Sequence, residues 1–149
     1  MKLIIKSFEE LTTKELYEII KLRIEVFIVD QECIYKDLDY LDYNCYHHFI
    51  EDDSKIVAYL RILGKGLNFD EISFSRVVTN KLYRGKGFCK KLLFESINFV
   101  ENNLKESIIK LRAQVYAKGL YESLGFEEFG EEYLDRDIPH INMIYKSKK

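Results

Sequence analysis

The 149-residue chain has no tryptophan, one proline, seven glycines and three cysteines. With so few proline and glycine residues and no low-complexity segment, it contains no candidate linker, so we expect a single domain over residues 1–149. The odd cysteine count without CxxC spacing predicts neither a disulfide framework nor a metal site. No apolar run approaches membrane length, and the first ten residues become charged too early for a signal peptide. We therefore expect a cytoplasmic protein with no membrane partner.

Hydrophobic and aromatic residues are abundant instead. They make up 47% and 14% of the chain, and the length is sufficient to bury a core without disulfides or metal. The formal net charge of −2 gives no overall attraction for nucleic acid, so no nucleic-acid partner is expected.

The charges are segregated along the chain. Residues 30–53 contain eight acidic residues and one base, Lys36, whereas residues 76–91 contain six bases and no acid. This sorting favours a negatively charged ligand near the second stretch and a cationic partner near the first. A solvated, basic helix start would explain the second stretch equally well.

Hydrophobic periodicity predicts alternating strands and helices. The predicted strands are residues 3–6, 48–51, 56–63, 72–79, 108–115, 126–129 and 141–145. A capping box at Thr12 and Glu15 begins a helix that runs to about Val29. A second helix follows residues 84–87, and a third, residues 116–124, ends at Gly125. Residues 30–45 are irregular or a short helix, and an acidic loop spans residues 131–139. This order predicts a mixed sheet with helices packed on it.

The segment from residue 77 to residue 93 is the most informative. A strand leads into a loop with Gly85 and Gly87, and the loop leads into a helix. A helix start offers unpaired N–H groups and a positive dipole end, and glycines let the backbone approach a phosphate closely. Neither the Walker A motif nor the dinucleotide fingerprint fits. The segment indicates a pyrophosphate-sized anion site, and the alternative is an ordinary turn before an amphipathic helix.

This segment resembles the acetyl-CoA signature of GNAT acetyltransferases, Arg/Gln-x-x-Gly-x-Gly/Ala. Arg84 and Gly87 are in place, and Cys89 stands where the family has Gly or Ala. Downstream, residues 121–126 match the family's Tyr-x-x-x-Gly-Phe pattern. Either motif alone is weak, but the two occur in the family's order with room for one helix and one strand between them.

The resemblance covers nearly the whole chain and is greatest to ElaA-like members of the superfamily. It rests on residues 22–33, on Tyr35, Asp39, Asp42 and Arg61, and on residues 75–77, 113–114, 130–133 and 137–143. The acceptor of that group is poorly defined, so this likeness defines the fold more sharply than the substrate.

The resemblance implies an α/β (α+β) GNAT fold: a mixed, mostly antiparallel sheet of six to seven strands with splayed middle strands and flanking helices. It also implies acetyl-CoA as co-substrate, with its pantetheine arm between strand 77–79 and strand 108–115. The cofactor-binding residues implied are Val77, Val78, Thr79, Arg84, Gly85, Lys86, Gly87, Phe88, Cys89, Lys90 and Gln114.

The same resemblance gives Tyr121 the role of general acid, which protonates the departing thiolate. A backbone N–H near Val77 or Val78 would polarise the thioester carbonyl. The general base remains open among Glu71, His48, His140, Asp135, Glu25 and a relayed water. A cysteine nucleophile, Cys33 or Cys45, is disfavoured because the histidines that follow Cys45 alternate between faces of a strand.

The predicted reaction is transfer of an acetyl group to the amine of a small molecule or peptide. The acidic stretch, including Asp39 and Asp42, suits a cationic acceptor. Two alternatives remain: a non-catalytic CoA-binding regulatory domain, and an interaction module that uses the acidic stretch. The sequence does not fix the oligomeric state, and a homodimer is one candidate.

Overall fold

Seven strands and three α-helices alternate along the chain in this computed structural model, which describes residues 1–148. The strands are β1 (Lys2–Ser7), β2 (Cys45–Asp52), β3 (Lys55–Leu63), β4 (Ile72–Thr79), β5 (Ile108–Gln114), β6 (Glu127–Asp135) and β7 (Ile138–Lys146). The helices are α1 (Thr13–Arg23), α2 (Phe88–Asn102) and α3 (Lys118–Ser123). One sheet contains all seven strands in the order β1-β2-β3-β4-β5-β7-β6. Every neighbouring pair is antiparallel except β4 and β5, so the predicted mixed, mostly antiparallel sheet is confirmed.

Helices α1 and α2 cover opposite faces of the sheet. Adjacent residues of β3 show this, since Tyr59 packs in the cluster that contains Ile19 of α1, whereas Leu60 packs in the cluster that contains Leu92 of α2. Successive side chains of a strand point to opposite faces, which explains the division. No helix among residues 1–148 combines the length and the apolar character needed to cross a membrane.

The predicted capping box begins α1. The Glu15 N–H donates to Thr12 Oγ1 at 3.0 Å, and the Thr12 N–H donates to the Glu15 carboxylate at 2.9 Å. These bonds satisfy donors that a helix start leaves unpaired. The helix continues as a π-helical segment, Ile24–Asp30, and then gives way to an irregular segment, residues 31–40.

The two middle strands separate after a short pairing. Strands β4 and β5 pair only where Ile72–Phe74 meet residues 109–111. A bulge in β4 accompanies the separation, because Tyr59 pairs with Val78 and Arg61 with Ser75, so that two residues of β4 stand opposite Leu60. Arg76 is in the bulge with φ +54°. A bulge bends its strand, which explains the splay that the resemblance implied.

The prediction of an acidic loop at residues 131–139 is wrong. Strand β6 continues to Asp135, and a two-residue turn at Arg136 and Asp137 leads directly into β7. Both turn residues have positive φ, +50° and +62°, as the tight turns of β-hairpins require. Strand β6 is at the edge of the sheet and mostly exposed, so it lacks the apolar alternation from which a strand is predicted.

Candidate active site

The glycine loop places the start of α2 at one end of the gap between β4 and β5. Gly85 and Gly87 have φ of +78° and +80°, a conformation that other residues adopt with strain. Helix α2 begins at Phe88, with Gly87 as its N-cap, no side-chain cap within residues 1–148 and no acid in its first turn. The first N–H groups of the helix are therefore available to an anion.

Three predicted cationic side chains surround this helix start. Arg84 Nε donates to the Thr79 carbonyl at 3.3 Å, and Lys86 Nζ lies 5.6 Å from the centre of the Tyr83 ring. Arg84, Lys86 and Lys90 are exposed, and none forms an ion pair with an acid in residues 1–148. Their positive charge is thus free to act on a ligand.

Cys89 occupies the position at which the family has Gly or Ala. Its side chain is half-buried and packs against the core cluster around α2. Burial raises the pKa of the Cys89 thiol, and a hydrogen bond with Thr79 opposes the rise. The thiol thus contacts Thr79 at the end of β4.

Tyr121 of α3 is 6% exposed and packs edge-on against Phe126, with ring centres 5.8 Å apart. Burial raises the pKa of the Tyr121 hydroxyl, and the nearby Cys89 and Tyr116 raise it further. The hydroxyl is therefore protonated at neutral pH, as a proton donor must be.

A cavity of about 360 Å³ opens where β4 and β5 diverge, and Tyr121 forms part of its wall. Val77 and Gln114 contribute the two splayed strands, while residues 31–41 and the β6–β7 turn form the rim. The structure thus brings together the predicted Val77, Gln114 and Tyr121. The roles assigned to these residues and to the glycine loop stay predictions.

Three aspartates of the acidic stretch are paired with arginines beside this cavity. Arg23 Nε lies 2.8 Å from Asp37, and Arg23 Nη1 lies 2.7 Å from Asp42. Arg61 binds Asp39 through both terminal nitrogens, at 2.8 and 3.0 Å. Arg61 also contacts Asp42, and Arg76 contacts Asp37 at 2.8 Å and Asp39 at 3.4 Å.

Burial alone would raise the pKa of Asp42, but the hydrogen bonds and charges of Arg23 and Arg61 hold it below its usual value. Asp42 is therefore ionised and neutralised within the protein. Asp39 and Asp42, which lie in the stretch predicted to suit a cationic acceptor, are thus both engaged by arginines, and the class of acceptor stays a prediction. Arg76, counted among the bases near the anion site, is likewise occupied by Asp37 and Asp39.

Cys45 and His47 do lie on one face of β2, with Cys45 Sγ 3.6 Å from His47 Nε2. Strand alternation places adjacent residues on opposite faces, but Cys45 and His47 are two positions apart and therefore share a face. His47 Nε2 donates to the Asp42 carbonyl at 2.9 Å, which leaves Nδ1 to accept from the Tyr59 hydroxyl at 2.6 Å. Burial raises the pKa of the Cys45 thiol to about 12, so it stays protonated and is a poor nucleophile.

Asp42, Cys45 and His47 could also be viewed as a metal-binding group, since their ligand atoms lie within 4.8 Å of one another. Arg23 and Arg61 both bind the Asp42 carboxylate, at 2.7 and 3.1 Å. Two guanidinium groups beside the ligands disfavour a cation there. This chemistry gives no support to a metal centre.

The general-base candidates fall into two groups. Glu25 pairs with Lys21 at 2.7 Å, Glu71 pairs with Lys110 at 3.1 Å, and neither contributes to the cavity. His48 is buried near α2, where its Nδ1 lies 2.5 Å from Ser96 Oγ. Only Asp135 and His140 line the cavity. Asp135 is held by Arg136 at 3.1 Å, which leaves His140 as the free candidate.

The sequence did not reveal several of the polar and aromatic side chains that line this cavity. Tyr35, Lys36, Arg112, Tyr116 and Arg136 line it, but no motif or spacing connects them. They come together only because the irregular segment 31–40, β5 with the turn that follows it, and the β6–β7 turn meet in space. These segments are separate in sequence and share no pattern, so no signal in the sequence could have identified the group.

Comparisons with known proteins agree over nearly the full length. The family model described as "Acetyltransferase (GNAT) domain" matches residues 10–147. Protein ElaA of Escherichia coli is 30% identical over 136 residues, which cover 90% of this chain and 89% of that protein. The crystal structure of E. coli ElaA gives a TM-score of 0.90 with coverage of 98% and 100%.

Two further solved structures are similar. An acyl-CoA N-acyltransferase from Pseudomonas aeruginosa is 33% identical, with a TM-score of 0.90 and coverage of 97% of this chain and 99% of that one. A spermidine N-acetyltransferase from Vibrio cholerae, in complex with CoA and spermine, is 22% identical and shares the fold at a TM-score of 0.72, with coverage of 99% and 96%.

Proposed function

This chain belongs to the GNAT acetyltransferase family, and from that premise we propose that it transfers an acetyl group from acetyl-CoA to a primary amine by direct attack. The observation that carries the proposal is the gap between β4 and β5, because it joins the uncapped start of α2 to a cavity lined by Tyr121. The chain is an N-acetyltransferase, so a non-catalytic CoA-binding role is set aside. The proposal treats residues 1–149 as one catalytic unit in the cytoplasm, where free thiols such as its three cysteines persist.

The splayed strands offer a binding site for the donor. Beyond Phe74 and Leu111, β4 and β5 no longer pair with each other, so their facing backbone groups can bind the pantetheine arm. Val77, Val78 and Thr79 lie on one side of the gap and Gln114 on the other. The pyrophosphate would bind at the start of α2, between the N–H groups of residues 88–90 and the side chains of Arg84 and Lys86.

The proposed reaction has one nucleophilic step. The neutral amine attacks the thioester carbon, and a backbone N–H at Val77 or Val78 stabilises the oxyanion. The new C–N bond forms, the C–S bond breaks, and the Tyr121 hydroxyl gives its proton to the thiolate sulfur. The amine's proton goes to a base, so the products are an amide and CoA.

We propose His140 as that base. It is 7% exposed and lines the cavity, with its ring stacked on Tyr133 at a centroid distance of 5.8 Å. His140 Nδ1 lies 2.7 Å from the Ile138 carbonyl, which can only accept, so Nδ1 carries the proton of the neutral ring. Nε2 is then left with the lone pair that a base needs.

Tyr121→Phe tests the proposed acid. The ring and its packing remain, so acetyl-CoA affinity should be unchanged, whereas kcat should fall by about 10²–10⁴-fold. The loss should be smaller with a thioester whose thiol is more acidic, because a better leaving group needs less protonation. The measurement is CoA release under conditions in which chemistry limits the rate. A Phe variant that keeps most of its kcat would assign the acid to water.

His140→Gln tests the proposed base. The amide can retain a hydrogen bond to the Ile138 carbonyl but cannot accept the proton, so kcat should fall by about 10²–10⁴-fold while the KM for acetyl-CoA stays constant. Added imidazole should restore part of the rate. His48→Gln is the matched control, since His48 does not line the cavity. Equal losses in the two variants, or no imidazole rescue, would contradict the assignment.

A further inference from the structure

We infer that the acceptor is a primary amine that also carries a carboxylate, as an amino acid or short peptide does. This inference rests on the proposed function and names the substrate class of the same cavity. It is carried by two positive side chains on the cavity wall, Lys36 and Arg112, that have no carboxylate partner within residues 1–148.

The charges beside the cavity balance except at these two residues. Arg23, Arg61 and Arg76 face Asp37, Asp39 and Asp42, three charges against three, in mutual contacts of 2.7–3.4 Å. This cluster therefore has no net charge. The acidic stretch, which suggested a cationic ligand, leaves no free carboxylate here.

The β6–β7 turn contributes a second set of opposite charges that neutralise each other. Arg136 Nη1 lies 3.1 Å from Asp135, and the Arg136 guanidinium lies 4.1 Å from the centre of the Tyr35 ring. These contacts fix both charges at the rim. Since Asp39 and Asp135 are the only acids among residues 1–148 that line the cavity, no carboxylate there is left for Lys36 and Arg112.

Arg112 is positioned by neutral contacts. Its Nη2 donates to Asn68 Oδ1 at 3.2 Å, and its guanidinium lies 4.9 Å from the centre of the Phe69 ring. These contacts hold the group in place and leave its remaining N–H donors available. A guanidinium with free donors matches the two oxygens of a carboxylate.

The consequence is a choice between classes of amine. Two uncompensated positive charges attract a carboxylate on the acceptor and repel a second ammonium. A polyamine, the ligand of the more distant V. cholerae structure, therefore fits this cavity poorly. An amine with a carboxylate at the far end of the cavity would present its other end to the thioester.

The test compares acceptors that differ only in the carboxylate. Each of a set of amino acids and dipeptides is offered with its carboxamide, together with spermidine, and acetylated products are measured by mass spectrometry. We expect kcat/KM for the carboxylate member to exceed that of its carboxamide by tenfold or more, about the effect of one added charge-assisted hydrogen bond. Equal turnover of both members, or turnover of spermidine alone, overturns the inference and leaves the proposed function intact. No turnover of any amine, with acetyl-CoA still bound, counts against both.

Arg112→Gln and Lys36→Gln test whether these two side chains cause the preference for an acceptor with a carboxylate. Each should raise the acceptor KM about tenfold, with kcat and the KM for acetyl-CoA little changed. Arg112→Lys, which keeps the charge, should recover part of the loss, and Lys55→Gln, at the exposed start of β3, is the matched control. An acceptor KM that Arg112→Gln and Lys36→Gln leave unchanged would overturn the inference. Circular dichroism confirms that each variant folds.

Discussion

The buried side chain of His48 makes the stability of the folded protein depend on pH. It is 3% exposed, and burial lowers its pKa to about 4 from an ordinary value of 6.5. As pH falls, the unfolded chain therefore binds a proton on this residue before the folded protein does. Stability from the neutral ring is complete above about pH 6.5 and is lost as pH falls towards 4.

His48→Gln should make stability less sensitive to acid. The wild type should lose about 2 kcal/mol more than the variant between pH 7 and pH 5, because the shift in pKa acts only on the imidazole. Urea unfolding at the two pH values measures the difference. His47 is common to both proteins and cancels in the comparison. Parallel losses would show that His48 has an ordinary pKa in the folded state.

The positions of residues that lie in motifs were predictable from the sequence, whereas the contacts of residues outside motifs were not. Tyr121 and Gly87 lie in short motifs of the family, so the resemblance implied a place for Tyr121 near the site, and the glycine loop placed Gly87 at the start of α2. The pairing of Arg61 with Asp39 spans 22 positions and depends on the sheet. No periodicity encodes such a contact, so the arginine partner of Asp39 could not be predicted from the sequence.

At the scale of elements, the glycine loop is the segment on which the donor site depends. A side chain at Gly87 would meet no atom within 4 Å, so a substitution there acts through backbone strain at φ +80° and through what it presents to the ligand. Gly87→Ala should cost about 1 kcal/mol of folding stability from the left-handed conformation.

Gly87→Glu adds a negative charge to the proposed pyrophosphate site. Wild-type acetyl-CoA binding is expected at a micromolar Kd, about −8 kcal/mol, and the variant should show no measurable binding in calorimetry. Gly64→Glu is the matched control, since that glycine also has open space around it but lies on a different loop and has no positive φ. Unchanged affinity in Gly87→Glu would remove this loop from the donor site.

Helices and strands with one buried apolar face were predictable from the sequence, whereas features that depend on how strands pair with each other were not. Helix α2 and strand β5 repeat apolar residues at helical and strand spacing, and both were found close to their predicted bounds. The outer part of β6 has solvent on most of its side chains and was predicted as a loop. The bulge at Arg76 arises where β3 and β4 fall out of register, which a single strand's sequence does not record.

At the scale of the molecule, donor binding should stabilise the gap between β4 and β5. Acetyl-CoA at 100 times its Kd should raise the free energy of unfolding by about 2.7 kcal/mol. Within residues 77–79 and at Gln114, hydrogen exchange should slow most at the amides that point into the gap. The same addition to Gly87→Glu should change nothing. Protection spread evenly over the sheet would contradict binding between these strands.

The brief pairing of β4 with β5 also has a mechanical consequence. In the described part of the chain, only three residue pairs join the four strands on one side of the sheet to the three on the other, whereas β2 and β3 pair along eight. Tension applied across the sheet would therefore concentrate on those three pairs. Under an optical trap with handles on β3 and β7, the molecule should yield first between β4 and β5, and bound acetyl-CoA should raise the rupture force.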